Sequence, residues 1–273
     1  MEVRPLGPVM GAEVRGVDLS RPVDIENIQQ AFDRHLLLVF PAQSIDPPQH
    51  IAFSRAFGEL QVHVLDQYRH PQYPEIYLLS NVKDGKTTGE HPDKGTLVWH
   101  SDLSFQKRPA LATILHGLEV PKAGGDTLYA NMCAAYDALD DHTKSLIERL
   151  RAVHDLDASR MRAGEPPMSA AQRAAAPPVE HPMVTKHPRT GRKILYISRH
   201  VSHVAGMPRA ESDALLEHLY RQADVPEYQC RFRWQKNSLA FWDNCAVQHY
   251  AASDYDPQVR VMERVTIIGE EPR

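Results

Sequence analysis

Three cysteines in 273 residues, Cys133, Cys230 and Cys245, are too few and too scattered for a disulfide framework. None belongs to a CxxC pair, which also excludes a thiolate zinc site, and the three are expected to be ordinary core or surface thiols. Long apolar runs are missing as well. The longest, Leu36-Leu37-Leu38-Val39-Phe40, falls far short of the ~20 residues that a membrane helix needs, so the chain is not expected to span a bilayer. Met1 to Ser20 lacks a basic segment followed by an apolar stretch and a small-residue cleavage site. No signal peptide is therefore expected, and the cytoplasm is the default location. The basic residues are dispersed and the formal net charge is -4, so no stripe of Lys and Arg is available to neutralise a phosphate backbone. Nucleic acid is not an expected partner. Internal repeats and low-complexity segments are absent too.

What remains is the balance of a soluble globular protein, with 42% hydrophobic and 24% charged residues, and a length at which one domain, 1–273, is expected. Ile25, Ile28 and Phe32 share a helical face over Asp24 to Arg34, leading into a buried strand that Pro41 ends. A short helix is predicted from Pro48 to Phe57, stopped at Gly58, and a strand over Glu75 to Leu79. Asn81 to Gly95 reads as a loop. Strands are predicted at Ala112 to Val120 and Asp126 to Ala130, and helix over Ala134 to Ala152, with Asp140 or Asp141 capping a second segment. Met161 to Pro182, rich in Ala and Pro with little period, reads as a lid or insertion, taken to occupy roughly 159–193. Beyond it come a strand at Ile194 to Ile197, a helix from Pro208 to Ala223, and strands at Tyr228 to Trp234, Leu239 to Trp242 and Arg260 to Ile268. This order suggests a mainly β, jelly-roll-like core with flanking helices.

Trp99-His100-Ser101-Asp102 places an imidazole and a carboxylate two residues apart, and extended chain projects such residues to one side, where they can grip one ion. His249, after the apolar Leu239 to Trp242 strand, is the candidate third ligand. Two histidines and a carboxylate with positions left open form the facial triad of non-haem iron(II) oxygenases, although the set also accepts other divalent ions. With 15 histidines in the chain, an HxD pair by itself carries little weight. Further on, the period of two along Arg260 to Val265 puts Arg260 and Arg264 on one face. That alternation alone leaves two readings. The guanidinium groups face the metal and hold anions, or they point to solvent or pair with Glu263, Asp254 or Asp256.

The ordered set Trp99-His100-Ser101-Asp102, Gly124-Gly125-Asp126-Thr127, Trp242-Asp243-Asn244, Gln248-His249 and Arg260 with Arg264 resembles the taurine dioxygenase and dichlorophenoxyacetate dioxygenase family. The likeness spans nearly the whole chain. It includes Pro8 to Leu19, Phe57-Gly58-Glu59-Leu60, and His187-Pro188 followed by Thr190-Gly191-Arg192-Lys193. The resemblance implies a double-stranded β-helix of cupin type and a homo-oligomer, dimer or tetramer. It also implies Fe(II) held by His100, Asp102 and His249, with 2-oxoglutarate and O2 as cosubstrates. By the same resemblance Thr127 and Arg260 hold the far carboxylate of 2-oxoglutarate, and Arg264 contacts an anionic group on the primary substrate. The implied reaction hydroxylates a substrate C–H, with cleavage or desaturation as variants, and releases succinate and CO2.

Thr96 and Asp66 stand where taurine-specific members carry Asn and Tyr, which argues against taurine itself. His63 matches a substrate-pocket histidine, and the stretch with His200 and His203 resembles the dichlorophenoxyacetate branch. The expected substrate is a small organic anion such as an aryloxyalkanoate, sulfonate or sulfate ester. At least one of His63, His200 and His203 is expected to be an ordinary surface or hydrogen-bonded histidine. Phe105 is expected to line the pocket, and Trp99 and Trp242 to pack in the core. The rival readings are a metal hydrolase or isomerase on a related barrel, and a non-catalytic binding protein. Thr127 and Arg260 count against the first, and the intact set of five site residues against the second.

Overall fold

Leu36 to Phe40 supplies the strand Leu37–Phe40, whose four residues are all buried. Its period of two explains the layering. Leu37 and Val39 enter one apolar cluster, while Leu38 and Phe40 enter a second on the opposite face of the sheet. In the computed structural model, which describes residues 1–63, 66–83, 85–88 and 96–273, this strand belongs to a seven-stranded sheet. The spatial order is Glu2–Pro5, Ala12–Arg15, Leu37–Phe40, Leu239–Asp243, Ala110–Glu119, Val261–Ile268 and Ile76–Ser80. A three-stranded sheet, Gln229–Phe232, Thr127–Asn131 and Val247–Ala251, supplies Tyr129, Ala130, Cys230 and Val247 to the cluster that Leu37 and Val39 enter. The core of this jelly roll thus lies between the two sheets.

Helices cover the outer face of the large sheet. Ile25–His35 is capped by the Asp24 carboxylate, which accepts from the Asn27 amide, and ends at Leu36 in the left-handed region. Its Phe32 stacks on Phe241 with ring centroids 3.9 Å apart. Pro47–Arg55 begins with a capping box between Asp46 and Gln49 and has proline in its first turn.

Several boundaries depart from the sequence reading. The helical stretch expected over Ala134 to Ala152 divides as anticipated into Met132–Ala138 and Asp141–Ile147, the second capped by Asp140, but its end is a strand, Arg151–His154. That strand pairs with Val179–Pro182 and Val201–Val204, and pairing across the sheet overrides the local helical period. The span 159–193 holds the end of the helix Leu156–Arg162, the helix Ala170–Ala175, and the strands Val179–Pro182 and Val184–Lys186. Its Met168 and Ala176 pack with Leu156, Leu103 and Phe105. The loop expected at Asn81 to Gly95 contains a short hairpin, Val82–Lys83 with Lys86–Thr87, while Asp84 and positions 89–95 lie outside the described residues. Val247–Ala251, which carries His249, is a strand that apolar patterning alone did not reveal, because its consecutive Gln248 and His249 are both polar and both buried. Among the described residues no helix is long and apolar enough to cross a membrane.

Candidate functional site

His100 and His249 are opposite one another on antiparallel backbone. The amide of each donates to the carbonyl of the other, at 3.1 Å from His100 and 2.8 Å from His249. Their rings lie 4.0 Å apart by centroid. Asp102 follows on a turn, and one donor atom from each of the three lies within 4.8 Å of the other two, all buried. The local backbone thus joins residues separated by nearly 150 positions in the chain.

The ligand atoms are oriented by their neighbours. His100 Nδ1 donates to the Val98 carbonyl at 2.8 Å, which leaves the lone pair on Nε2. Burial, aided by the nearby His100, holds the His249 imidazole well below its ordinary pKa, so it is neutral and can donate a lone pair. Burial alone would raise the Asp102 carboxyl, but Arg264, His249, His100 and the Thr113 hydroxyl together hold it well below the usual carboxylate range. Asp102 Oδ1 accepts from Arg264 at 3.0 Å and Oδ2 from Thr113 Oγ1 at 2.7 Å. A carboxylate beside two imidazoles is the donor set that a borderline divalent ion such as iron(II) takes, so the residues fit that metal.

Behind these residues stands a brace that sequence reasoning missed. Asn244 Oδ1 accepts from the Asp102 amide at 3.1 Å and from the Trp242 indole at 3.1 Å. Its amide nitrogen donates to Thr113 Oγ1 at 2.7 Å, so one side chain positions both the Asp102 backbone and the hydroxyl that holds its carboxylate. Asp243 is bound in turn by His187 Nε2 at 2.6 Å and by the amides of Cys245 and Ala246. The recurring Trp242-Asp243-Asn244 and His187-Pro188 stretches were the available signal. Their pairing could not be read from either one alone.

Two cavities meet at this centre. One is lined by Leu79, Thr96, Leu115, Thr127, Arg260 and Arg264 with Trp242 and His249. Arg260 is 2% exposed, and among the described residues no carboxylate lies within ion-pair distance of it. Its Nε donates to Gly125 O at 3.3 Å, and its amide is held by Asn81 Oδ1 at 2.8 Å. Burial lowers the guanidinium below its ordinary pKa, against the opposing effect of Tyr255, Tyr129 and Asp126. Gly124 and Gly125 permit this approach. Both have positive φ, and a Cβ on Gly124 would sit 2.5 Å from Asp254 O. Thr127 Oγ1 accepts from the Trp234 indole at 2.9 Å, which leaves its own proton to donate.

The second cavity is lined by His63, Thr96, Phe105, His200 and Arg264, together with Arg160, Leu103, Leu156, Ser159, His100 and Asp102. All five residues assigned to the substrate side from sequence therefore converge. His200 Nδ1 is 3.1 Å from Ser104 Oγ, and its ring lies 5.6 Å from that of Phe105. His203 instead pairs with Ser202 and lines neither cavity, and Asp66 is exposed on a short 3-10 turn. Trp242 packs against His249, whereas Trp99 is half-buried and donates to Asp224 at 2.8 Å. Arg160 was missed from sequence. It is 7% exposed, and among the described residues its Nε lacks a hydrogen-bond partner and its one carboxylate contact is Glu165 at 3.5 Å.

The taurine catabolism dioxygenase TauD, TfdA family model matches residues 2–266. The alpha-ketoglutarate-dependent 2,4-dichlorophenoxyacetate dioxygenase of Cupriavidus pinatubonensis is 38% identical over 257 residues, covering 90% of each chain. The alpha-ketoglutarate-dependent sulfate ester dioxygenase of Pseudomonas putida is 33% identical over 291 residues, covering 100% of this chain and 91% of its own. Among solved structures, AAD-2 in complex with Mn(II) and N-oxalylglycine superposes with a TM-score of 0.85 at 33% identity, covering 99% of this chain and 98% of that one.

Proposed function

We infer the reaction from the premise that this chain belongs to the TauD, TfdA family of dioxygenases. It is an Fe(II)- and 2-oxoglutarate-dependent dioxygenase. In our reading His100, Asp102 and His249 hold the iron, and Thr127 and Arg260 hold the distal carboxylate of 2-oxoglutarate. The observation that carries this is a buried Arg260 that meets no carboxylate among the described residues, in a cavity that reaches His249 and contains the Thr127 hydroxyl. A guanidinium in such a place asks for an anion, and a carboxylate meets it with paired hydrogen bonds. When bound, iron and 2-oxoglutarate supply the oxidising chemistry: the keto acid and O2 give succinate and CO2, and one oxygen atom is left for a substrate C–H bond.

The chain's own part is position and exclusion of water. Val98 and Thr113 orient His100 and Asp102, and Leu79, Leu115 and Trp242 enclose the cosubstrate cavity. On the other side Phe105, Leu103 and Leu156 offer apolar contact, while Arg160 and Arg264 supply positive charge. This pairing of an apolar wall with a cationic end supports a small organic anion as primary substrate, of aryloxyalkanoate, sulfonate or sulfate ester type. Arg264 lines both cavities and is bonded to Asp102, so it couples the substrate side to a ligand as well as supplying charge.

Under anaerobic conditions, iron(II) with 2-oxoglutarate is expected to give a weak visible charge-transfer band. Oxygen consumption matched by succinate should then follow addition of one of these three anion classes. Folded protein that shows neither band nor succinate would overturn the reading. Arg160→Met, which keeps an unbranched apolar stem and removes the charge, is expected to raise KM for the anionic substrate about 10- to 100-fold, the range of a charge-assisted hydrogen bond worth about 1.5–3 kcal/mol. The slow decarboxylation of 2-oxoglutarate without substrate should be unchanged. Unaltered KM values across all three classes would remove Arg160 from the site.

A further inference from the structure

On the face of the large sheet turned away from the catalytic centre lies a second set of metal-ligating side chains. Glu263 and His116 are directly paired between the strands Val261–Ile268 and Ala110–Glu119, so their side chains stand next to each other. Both share a face with Ile114 and Ile267, which pack into the outer apolar cluster. The helix Pro47–Arg55 crosses over this face and brings His50 down onto the pair. One donor atom from each of the three lies within 4.8 Å of the other two. Exposure is 0% for His50, 1% for His116 and 5% for Glu263.

These groups are not explained by hydrogen bonding. Among the described residues no group meets full hydrogen-bond geometry with either ring nitrogen of His50 or with His116 Nδ1. His116 Nε2 donates to the Gln43 carbonyl at 2.9 Å, which places its lone pair on Nδ1, and one His50 nitrogen is turned toward the Ile114 carbonyl. Donation of one ring N–H to a backbone carbonyl while the other nitrogen faces the cluster is how ligating histidines are commonly held, and His100 is held this way at the catalytic centre. The Glu263 carboxylate bonds neither imidazole, although all three are confined together. Buried polar atoms left unsatisfied are costly because they lose water and gain no partner, so such a cluster calls for an occupant.

We propose that His50, His116 and Glu263 form a second divalent-metal site, of zinc type, that ties the helix Pro47–Arg55 to the outer face of the sheet. Two imidazoles and a carboxylate are zinc donors, with bonds of about 2.0–2.2 Å that draw donor atoms together from separations such as these. His50, His116 and Glu263 line neither of the two cavities at the catalytic centre, so the ion, with a water as its fourth ligand, holds the helix to the sheet and does not meet the substrate. It sits directly behind the catalytic strands. Glu263 precedes Arg264, and His116 follows Leu115, which lines the cosubstrate cavity.

The test uses the full chain carrying His100→Ala, which disables the catalytic triad. It is produced in zinc-supplemented medium and, in parallel, refolded with Zn2+, because so buried a site loads as the chain folds. After desalting, metal analysis is expected to find one zinc per chain. Refolding with Co2+ should give the visible d–d band of low-coordinate cobalt. Adding Glu263→Gln or, separately, His116→Gln should reduce the retained zinc by about tenfold or more, and should abolish the rise in Tm that zinc confers. Folded His100→Ala with less than about a tenth of a zinc per chain from both preparations would overturn the site. So would a zinc content that both added substitutions leave intact, and a buried water would then be the occupant.

Discussion

His100→Ala is expected to lower substrate-dependent succinate formation by about a thousandfold or more, because a metal centre contributes several kcal/mol of transition-state stabilisation and each 1.36 kcal/mol is a decade in rate. The lost ring leaves Asp102 and His249 as a two-point site, and two ligands neither fix coordination geometry nor exclude other ions. The charge-transfer band should vanish with the activity. Folding should survive. His100 keeps its backbone hydrogen bonds with His249 whatever its side chain, and Asp102 stays held by Thr113, Arg264 and the Asn244 side chain. Full succinate production by a folded His100→Ala chain would show that the metal lies elsewhere.

The largest expected loss of stability comes from a residue that touches neither cavity. Asp243→Ala removes a buried carboxylate that is bound by His187 Nε2 at 2.6 Å and by the amides of Cys245 and Ala246 at 2.8 and 3.0 Å. His187 Nδ1 already accepts from the amides of Arg189 and Thr190, so its proton is on Nε2 and has no other place to go. The substitution therefore strands three buried donors. At about 1–3 kcal/mol for each unsatisfied group, less the desolvation that the carboxylate no longer incurs, the net cost is about 4 kcal/mol. For a chain of this size that corresponds to a fall of roughly 10 °C in Tm. Denaturant titration measures it directly. A change below about 1 kcal/mol would mean that the turn is held by other contacts. Activity should fall as well, since Asn244 rides on the same turn and positions Asp102.

Local patterning reached some of this architecture and not the rest. Apolar patterning revealed the Leu37–Phe40, Leu239–Asp243 and Val261–Ile268 strands, because each has apolar side chains buried on both faces of the sheet. It failed at Val247–Ala251, where the polar Gln248 and His249 are buried, and at Arg151–His154, where pairing with two strands outweighs a helical period. Alternation also put Arg260 and Arg264 on one face, with two roles open for them. They have separate surroundings: Arg260 meets no carboxylate among the described residues, while Arg264 holds Asp102.

The sequence by itself determined the family, the three candidate iron ligands and the two candidate cosubstrate residues, because these lie in short ordered motifs whose residue types are dictated by chemistry. The tertiary structure alone decided what braces and surrounds them. Asn244 meets Asp102 across 142 positions, Arg264 meets Asp102 across 162, and His187 meets Asp243 across 56. Arg160 enters the cavity lined by His63, Phe105 and His200 from a helix whose own pattern gives no hint of it, and His50 reaches Glu263 across a helix–sheet contact. The reason is physical. A period of two or 3.6 reports only which side of an element a residue occupies, whereas a contact across sheets depends on strand register and helix placement, which the packing of the whole chain sets.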